Sequence, residues 1–279
     1  MKRIILLLLL SVVDLCGQPQ VDSSDLNTLL MHSTFLITGP KNGETGKTAF
    51  GTVFILGTPL KSDPKRAAYT LVTAAHVLDD IGGNIAVVLM RTRTKEGTYR
   101  TFGYNLPIRN AGQPLYVEHA TEDVAAMYID MPDNVPLSLL GADFLADDAR
   151  LTDIELHPGD EAFCLGFPLA TSTPGGFPIL RTGRIASYPI IPTAKVKSIV
   201  FDLFLYPGNS GGPVYYIYDN RIMNGATQIG RWQGILGLVI QQEHSSIPEF
   251  ADKPLNLGVI VPAYFIRETL KRLPDPSAK

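Results

Sequence analysis

Tyr206-Pro207-Gly208-Asn209-Ser210-Gly211-Gly212-Pro213-Val214 is the stretch on which the fold turns. A serine flanked by glycines, then a proline and the strand-like run Val214-Tyr215-Tyr216-Ile217-Tyr218, makes a tight turn that presents one hydroxyl. Glycine at 208, 211 and 212 permits positive φ and a close approach of another backbone. It also leaves the peptide N–H groups around Ser210 free to converge on one point, the geometry of an oxyanion hole. The same residues are ordinary loop formers. Whether the chain supplies a base and an orienting acid for Ser210 separates the two readings.

The totals set the frame. A chain of 279 residues is long enough for one large all-β domain or two average ones. Hydrophobic residues at 45% and charged residues at 18% describe a globular protein with a sizeable core. The net charge of −3 gives no electrostatic reason to expect nucleic acid or an anionic membrane as a partner. Gly 25 and Pro 21 suit many short strands joined by turns better than a helical bundle.

Lys2-Arg3 followed by the apolar run Ile4 to Val13 reads as a secretory signal, too short for a membrane span. No later stretch is apolar enough to span. Cleavage after Gly17 is expected, giving a signal peptide over 1–17 and an exported, periplasmic or secreted, product. Lipid anchoring at Cys16 is the less favoured alternative, because Asp14 and Leu15 are poor for the small-residue pattern it requires. Once the signal is removed Cys164 stands alone, with no intrachain disulfide to make. It sits in the strand-like run Glu161 to Gly166 as a small buried hydrophobe. No Cys–His cluster suggests a metal, and no cofactor is expected.

Residues 18–33 are a lead-in with a short helical piece around Asp25 to Met31. Strands follow over Thr34 to Thr38, Ala49 to Leu56, Ala68 to Thr73, Ile85 to Met90, Tyr99 to Tyr104, Pro114 to Glu118 and Val124 to Ile129. A second series covers Glu161 to Leu165, Ile179 to Tyr188, Lys197 to Tyr206, Val214 to Tyr218, Gln233 to Gln241 and Leu257 to Val261. The connector 131–160 carries Asp, Pro and Gly punctuation. The expected architecture is all-β: two six-stranded antiparallel barrels, about 34–130 and 161–261, joined by that linker and closed by an amphipathic helix over 262–273. Asn42-Gly43-Glu44-Thr45-Gly46-Lys47-Thr48 imitates a phosphate-binding loop, but Lys41 occupies the place of its first glycine and a strand follows where a helix should. A hairpin loop accounts for it.

Five histidines compete as base for Ser210: His32, His76, His119, His157 and His244. Only His76 closes a β-rich run that breaks into small residues, Leu71-Val72-Thr73-Ala74-Ala75-His76. For the acid, Asp123 stands at the mouth of the apolar strand Val124 to Ile129, where a carboxylate is shielded yet within reach of an imidazole. Asp130 and Asp147 have weaker frames. Each residue alone has a bland reading, as a structural histidine or a loop-ending aspartate.

Taken together, Thr73-Ala74-Ala75-His76, Asp123-Val124-Ala125 and Gly208-Asn209-Ser210-Gly211-Gly212-Pro213 resemble the trypsin/chymotrypsin-fold serine proteases, in that family's order of His, Asp and Ser. The Pro-Gly-Asn-Ser-Gly-Gly-Pro turn is most similar to the Deg-type (high-temperature-requirement) bacterial enzymes. Gly51-Thr52-Val53-Phe54, His157-Pro158-Gly159-Asp160-Glu161 before Cys164-Leu165-Gly166, and Gly258-Val259-Ile260-Val261-Pro262 add to the likeness, which extends over Phe35 to Leu273. The resemblance implies a chymotrypsin-like pair of barrels and peptide hydrolysis through an acyl-enzyme, with polypeptides as substrates. It makes Ser210 the nucleophile, His76 the general base and Asp123 the residue that orients the imidazole, with the N–H groups of Gly208 and Ser210 as oxyanion hole.

Departures from the family carry information too. Asn209 replaces the aspartate that trypsin-like zymogens use to bind a new N-terminus, so activation by N-terminal insertion is not expected. Deg-type enzymes continue into PDZ domains, and none is expected after the final helix. Phe204, six residues before Ser210, falls where trypsin-like enzymes keep a basic-residue selector; a phenyl ring there implies an apolar P1 residue. Gly237, Leu238 and Val239 resemble the wall that pairs with substrate backbone, with Val239 narrowing the pocket toward small aliphatic side chains. The contrasting expectation is a protease-fold binding or scaffold protein with little turnover.

Overall fold

A computed structural model describes residues 25–59, 67–137, 139–244 and 254–275, with backbone alone at 241–244 and 254. The expected signal peptide, Cys16 and the start of the lead-in lie outside the described residues. The lead-in helix is Leu26–Ser33, close to the expected Asp25 to Met31. Asp25 caps it by accepting from the Thr28 amide at 3.2 Å. Leu26, Leu29 and Leu30 recur at helical spacing and are all buried.

The first half forms one seven-stranded antiparallel sheet. In chain order its strands are β1 (Thr34–Pro40), β2 (Thr48–Pro59), β3 (Ala67–Thr73), β4 (Ile85–Arg93), β5 (Tyr99–Pro107), β6 (Val117–Glu118) and β7 (Ala125–Ile129). They lie in the order β5-β4-β1-β2-β3-β7-β6. The seven strands correspond to the seven runs read in the sequence, one more than the six of the expected barrel. The expected strand Pro114 to Glu118 is divided: Gln113–Pro114 pairs back on Arg109–Asn110, and only Val117–Glu118 joins the sheet. The phosphate-loop look-alike is the β1–β2 hairpin loop, closed by the Lys41 amide on the Lys47 carbonyl at 2.9 Å.

The second half is a closed barrel of six strands: β8 (Glu161–Gly166), β9 (Ile179–Ile185), β10 (Ile199–Asp202), β11 (Pro213–Met223), β12 (Ala226–His244) and β13 (Pro254–Pro262), in the order β8-β9-β10-β13-β12-β11. Closure gives every strand a neighbour on both sides over part of its length. Several strands differ from expectation, three of them, β10, β11 and β12, in ways that bear on the site. β10 stops at Asp202, so Leu203 to Tyr206 run as irregular chain toward the serine turn. β11 and β12 extend past Tyr218 into a long hairpin, turned by Asn224 (φ 52°) and Gly225 (φ 72°). The linker also holds the helix Asp148–Asp153, capped by Asp147, and Leu145 bridges in parallel to Ile235 of β12.

Two apolar cores result. One fills the first sheet with Phe35, Phe54, Leu71, Val72 and Met127, and takes in the lead-in helix and Phe265 and Ile266 of the C-terminal helix Ala263–Leu270. The other fills the barrel with Cys164, Phe201, Val214, Tyr216 and Val239. Fully burying each such large side chain contributes about 1.5–3 kcal/mol. The consequence for function is positional. Thr73 at the end of β3 pairs with Ala125 at the start of β7, so the residues just beyond those two positions meet at one rim of the sheet.

Candidate active site

His76 lies three residues past the end of β3, in the short helix Ala75–Asp79. Asp123 lies two residues before β7 begins. The pairing of β3 with β7 brings them together: His76 Nδ1 is 2.6 Å from Asp123 Oδ2, and the His76 backbone amide donates to Asp123 Oδ1 at 3.0 Å. One carboxylate thus holds both the ring and the main chain of the same histidine. An ionised carboxylate only accepts, so Nδ1 carries the proton and Nε2 is left as the acceptor.

The electrostatics follow from this contact. Burial opposes charge on His76, but the hydrogen bond and charge of Asp123, with Asp80 and Asp79 nearby, outweigh it and raise the imidazole pKa above 6.5. Burial likewise pushes the Asp123 carboxyl up; the His76 ring and the His76 and Ala75 amides overcome that and hold it below its ordinary value of 3.8.

Ser210 sits on a turn stapled to the first sheet. Thr52 of β2 does most of the holding: its amide donates to the Ser210 carbonyl at 2.8 Å, and its hydroxyl donates to the Gly208 carbonyl at 2.6 Å. The same hydroxyl accepts from the Phe167 amide at 3.2 Å, and the Thr52 carbonyl accepts from the Thr73 hydroxyl at 2.7 Å. Thr52 therefore spans the serine turn and the strand end that leads to His76. Nothing local in Gly51-Thr52-Val53-Phe54 marks this role, because the partners of Thr52 lie at Thr73, Phe167, Gly208 and Ser210.

Glycine is required at two places in the turn. Gly208 has φ +99°, and a Cβ there would meet the Phe167 carbonyl oxygen at 2.2 Å. Gly211 has φ +83°, and a Cβ would stand 2.1 Å from both the Thr52 carbonyl and the Thr73 hydroxyl. The amides of Asn209, Gly211 and Gly212 are spent on the carbonyls of Tyr206, Val239 and Asn209, whereas among the described residues those of Gly208 and Ser210 meet no acceptor. The Ser210 hydroxyl donates to the Ile240 carbonyl at 3.3 Å and makes no hydrogen bond to His76 in this structure. Asn209 is fully buried and neither carboxamide atom has a partner among the described residues, so an aspartate at 209 would bury a charge with none of them to pair it.

The other expected site residues fare differently. Phe204 is half-buried in the irregular run before the turn, and its ring meets Tyr206 edge-on at 4.4 Å. Gly237, Leu238 and Val239 are not available to a substrate, which corrects the expectation. They pair on one side with β11 or Gly212 and on the other with β13. Val239 is 1% exposed, inside the barrel core, and narrows no surface pocket. The reason is where β11 begins: Pro213 pairs with Leu238, so β12 loses its neighbour on that side only beyond Val239. Beyond it, Gln241 and Gln242 keep β13 as partner, opposite Val259 and Gly258, Ile240 stands at the bulge before them, and among the described residues no strand pairs with this stretch on the serine side.

Rival groups have structural employment. Asp147 caps the linker helix at Arg150, Asp130 offers its carbonyl to Tyr104, and His157 pairs with Asp160. His32 packs against Tyr99 and Phe177. Burial pushes the Cys164 thiol up to about 12, which makes it a poor nucleophile. Among the described residues no cluster of three His, Cys, Asp or Glu side chains is arranged to hold a metal, and no helix is long and apolar enough to cross a membrane.

With this geometry in view, a family model described as trypsin-like peptidase domain matches residues 51–222. That span contains all three of His76, Asp123 and Ser210. Among solved structures, the chain is similar to the active form of the Rv3671c protease from M. tuberculosis, with 16% identity over 88% of this chain and 82% of that one and a TM-score of 0.47. It is also similar to the inactive form of a serine-to-alanine mutant of Rv3671c from M. tuberculosis H37Rv, at 17% identity over 88% of each chain, with a TM-score of 0.46. No curated protein shows a match.

Proposed function

The chain belongs to the trypsin-like peptidase family, and from that premise we propose that it is an exported serine endopeptidase with Ser210 as nucleophile, His76 as general base and Asp123 as the orienting acid. The observation that carries the assignment is the double hold of Asp123 on His76, 2.6 Å to the ring and 3.0 Å to the backbone amide. Nε2 is thereby left unprotonated at the rim where the serine turn is stapled.

In the reaction the Ser210 hydroxyl leaves the Ile240 carbonyl, gives its proton to His76 Nε2 and attacks the scissile carbonyl carbon. The carbonyl oxygen becomes an oxyanion facing the unspent amides of Gly208 and Ser210, each worth about 3 kcal/mol of barrier. His76 then protonates the leaving amine as the C–N bond breaks, and the imidazolium is stabilised meanwhile by Asp123. Water attacks the acyl-enzyme with His76 again as base, which releases the acid product and restores Ser210.

The substrate main chain pairs, in this proposal, with the serine side of β12 at Ile240 to Gln242. Phe204, with no charge to offer a lysine or arginine, supports an apolar P1 residue. The Lys2-Arg3 and Ile4 to Val13 pattern supports export, which mass spectrometry of the mature N-terminus tests directly.

One observation favours a second reading, a protease-fold scaffold with little turnover: the Ser210 hydroxyl is bonded to Ile240 instead of His76. Labelling with a fluorophosphonate separates the two. Wild-type protein is expected to label and to cleave casein, and Ser210→Ala to do neither. A folded wild-type protein that neither labels nor cleaves would overturn the peptidase reading.

A further inference from the structure

His119 is one of the histidines that triad chemistry leaves without a task, and its surroundings are unusually complete. The side chain is 9% exposed. Its Nδ1 accepts two backbone amides from its own loop, Glu122 at 3.0 Å and Thr121 at 3.2 Å. Its Nε2 lies 3.2 Å from Glu268 Oε2 on the C-terminal helix, and the other oxygen of Glu268 accepts from the Tyr264 hydroxyl at 2.9 Å. The ring stands edge-on to Phe265, 5.2 Å between centroids. Because Nδ1 receives two N–H donors, the ring proton sits on Nε2 and is donated to Glu268. Backbone geometry therefore fixes the tautomer.

The loop so gathered runs from His119 to Asp123. It is closed further by the His119 amide on the Val124 carbonyl at 2.8 Å, and the Glu122 carboxylate is held by Lys197 at 2.9 Å. Its next residue is the carboxylate that grips His76. An error of about 1 Å in placing a catalytic group costs up to about a hundredfold in rate, so whatever sets this loop sets the triad.

We propose that His119 is a positioning residue for the triad, bundling the 119–123 loop around its Nδ1 and anchoring it through Nε2 to Glu268, so that Asp123 is delivered to His76 in register. The proposal rests on the assignment of Asp123 as the orienting acid. It gives the C-terminal helix a part in catalysis although that helix carries no reacting group.

The two ring nitrogens can be replaced separately. Asn at 119 places an amide oxygen near the position of Nδ1, while Gln places its amide near Nε2 and leaves the Thr121 and Glu122 amides without their acceptor. His119→Gln is expected to lower kcat on an activated ester by about ten- to a hundredfold with KM unchanged. It should also move the acid limb of kcat/KM to lower pH, because His76 loses part of the Asp123 charge that raises its pKa. His119→Asn, which keeps that acceptor and loses only the contact to Glu268, is expected to lose less of both. Wild-type kcat and acid limb in His119→Gln, or equal losses in both variants, would overturn the proposal.

If His119→Gln does not fold, Glu268→Ala cuts the other hold, the Nε2 anchor, at a side chain 39% exposed. A lower kcat and shifted limb support the proposal, and wild-type values sink it. Asp123→Asn serves as the separate control: if that variant keeps wild-type kcat, the triad assignment fails before His119 is in question.

Discussion

At the scale of single residues, the site depends on how one carboxylate is shared. With its two oxygens on the ring and the backbone amide of His76, Asp123 leaves the imidazole no other orientation that keeps both bonds. The pKa directions give a testable sign. His76 must be neutral to act as base, so kcat/KM falls as pH drops through its pKa, and that limb is expected above 6.5, the ordinary imidazole value. Asp123→Asn keeps the shape and removes the charge. Its expected effect is a loss of kcat of about 10⁴-fold and an acid limb displaced to lower pH, read from kcat/KM profiles with an activated ester. An undisplaced limb would show that the titrating base is not His76. The same shifts govern stability. Below the raised His76 pKa and above the lowered Asp123 pKa both partners are charged, so the pair stabilises the fold most fully in that window. Its contribution is lost as pH rises through the first value or falls through the second.

At the scale of elements, the lead-in helix Leu26–Ser33 is the piece whose importance its length conceals. Eight residues are too few to be helical alone, yet Leu26, Leu29 and Leu30 are sealed in the first core, and Asn27 accepts from the Tyr215 hydroxyl of the barrel at 2.7 Å. Leu30→Ala is expected to cost about 2–5 kcal/mol, measured as a shift in the denaturation midpoint; a loss below about 1 kcal/mol would mean that the helix docks without being part of the core. Much of this organisation was legible in the sequence. Strand ends that break into small residues marked His76, an acid before an apolar strand marked Asp123, and the glycine turn marked Ser210, because each signal is local. The wall at Gly237 to Val239 was misplaced, since which residues of β12 are free depends on where β11 starts, a fact of barrel register that no residue of β12 encodes. The long β11–β12 hairpin did have a local sign, Asn224-Gly225 after Ile222-Met223, which the reading of Val214 to Tyr218 stopped short of. Thr52 and His119 were illegible for another reason: each acts through backbone groups distant in sequence or hidden in a loop's own conformation.

At the scale of the molecule, the two halves must hold a fixed relation, because His76 and Asp123 belong to the first sheet and Ser210 opens the barrel. Thr52 makes this connection beside the serine, and Arg91 makes another away from it. Arg91 is 2% exposed and its guanidinium lies between the rings of Phe35 and Phe177, 4.3 and 4.5 Å from their centroids. It donates to the carbonyls of Met31, His32 and Thr34 at the end of the lead-in helix, and to that of Gly176 in the β8–β9 loop at 2.8 Å. Among the described residues no carboxylate pairs with it, and burial pulls its pKa down to about 9, still charged near neutral pH. Such a group is costly to bury, and it persists because four carbonyls from two parts of the chain need its forked donors. That loop begins at Phe167 and Pro168, and the Leu169 amide donates to the Pro207 carbonyl at 2.7 Å, so loosening it bears on the serine turn. Arg91→Met keeps the apolar stem between the rings and removes every donor. The expected result is a loss of about 2–4 kcal/mol, in keeping with buried carbonyls left unpaired, together with faster amide exchange both around Met31 to Thr34 and across the Thr171 to Gly176 segment. Faster exchange in one segment alone would show that Arg91 braces that element without joining the two halves.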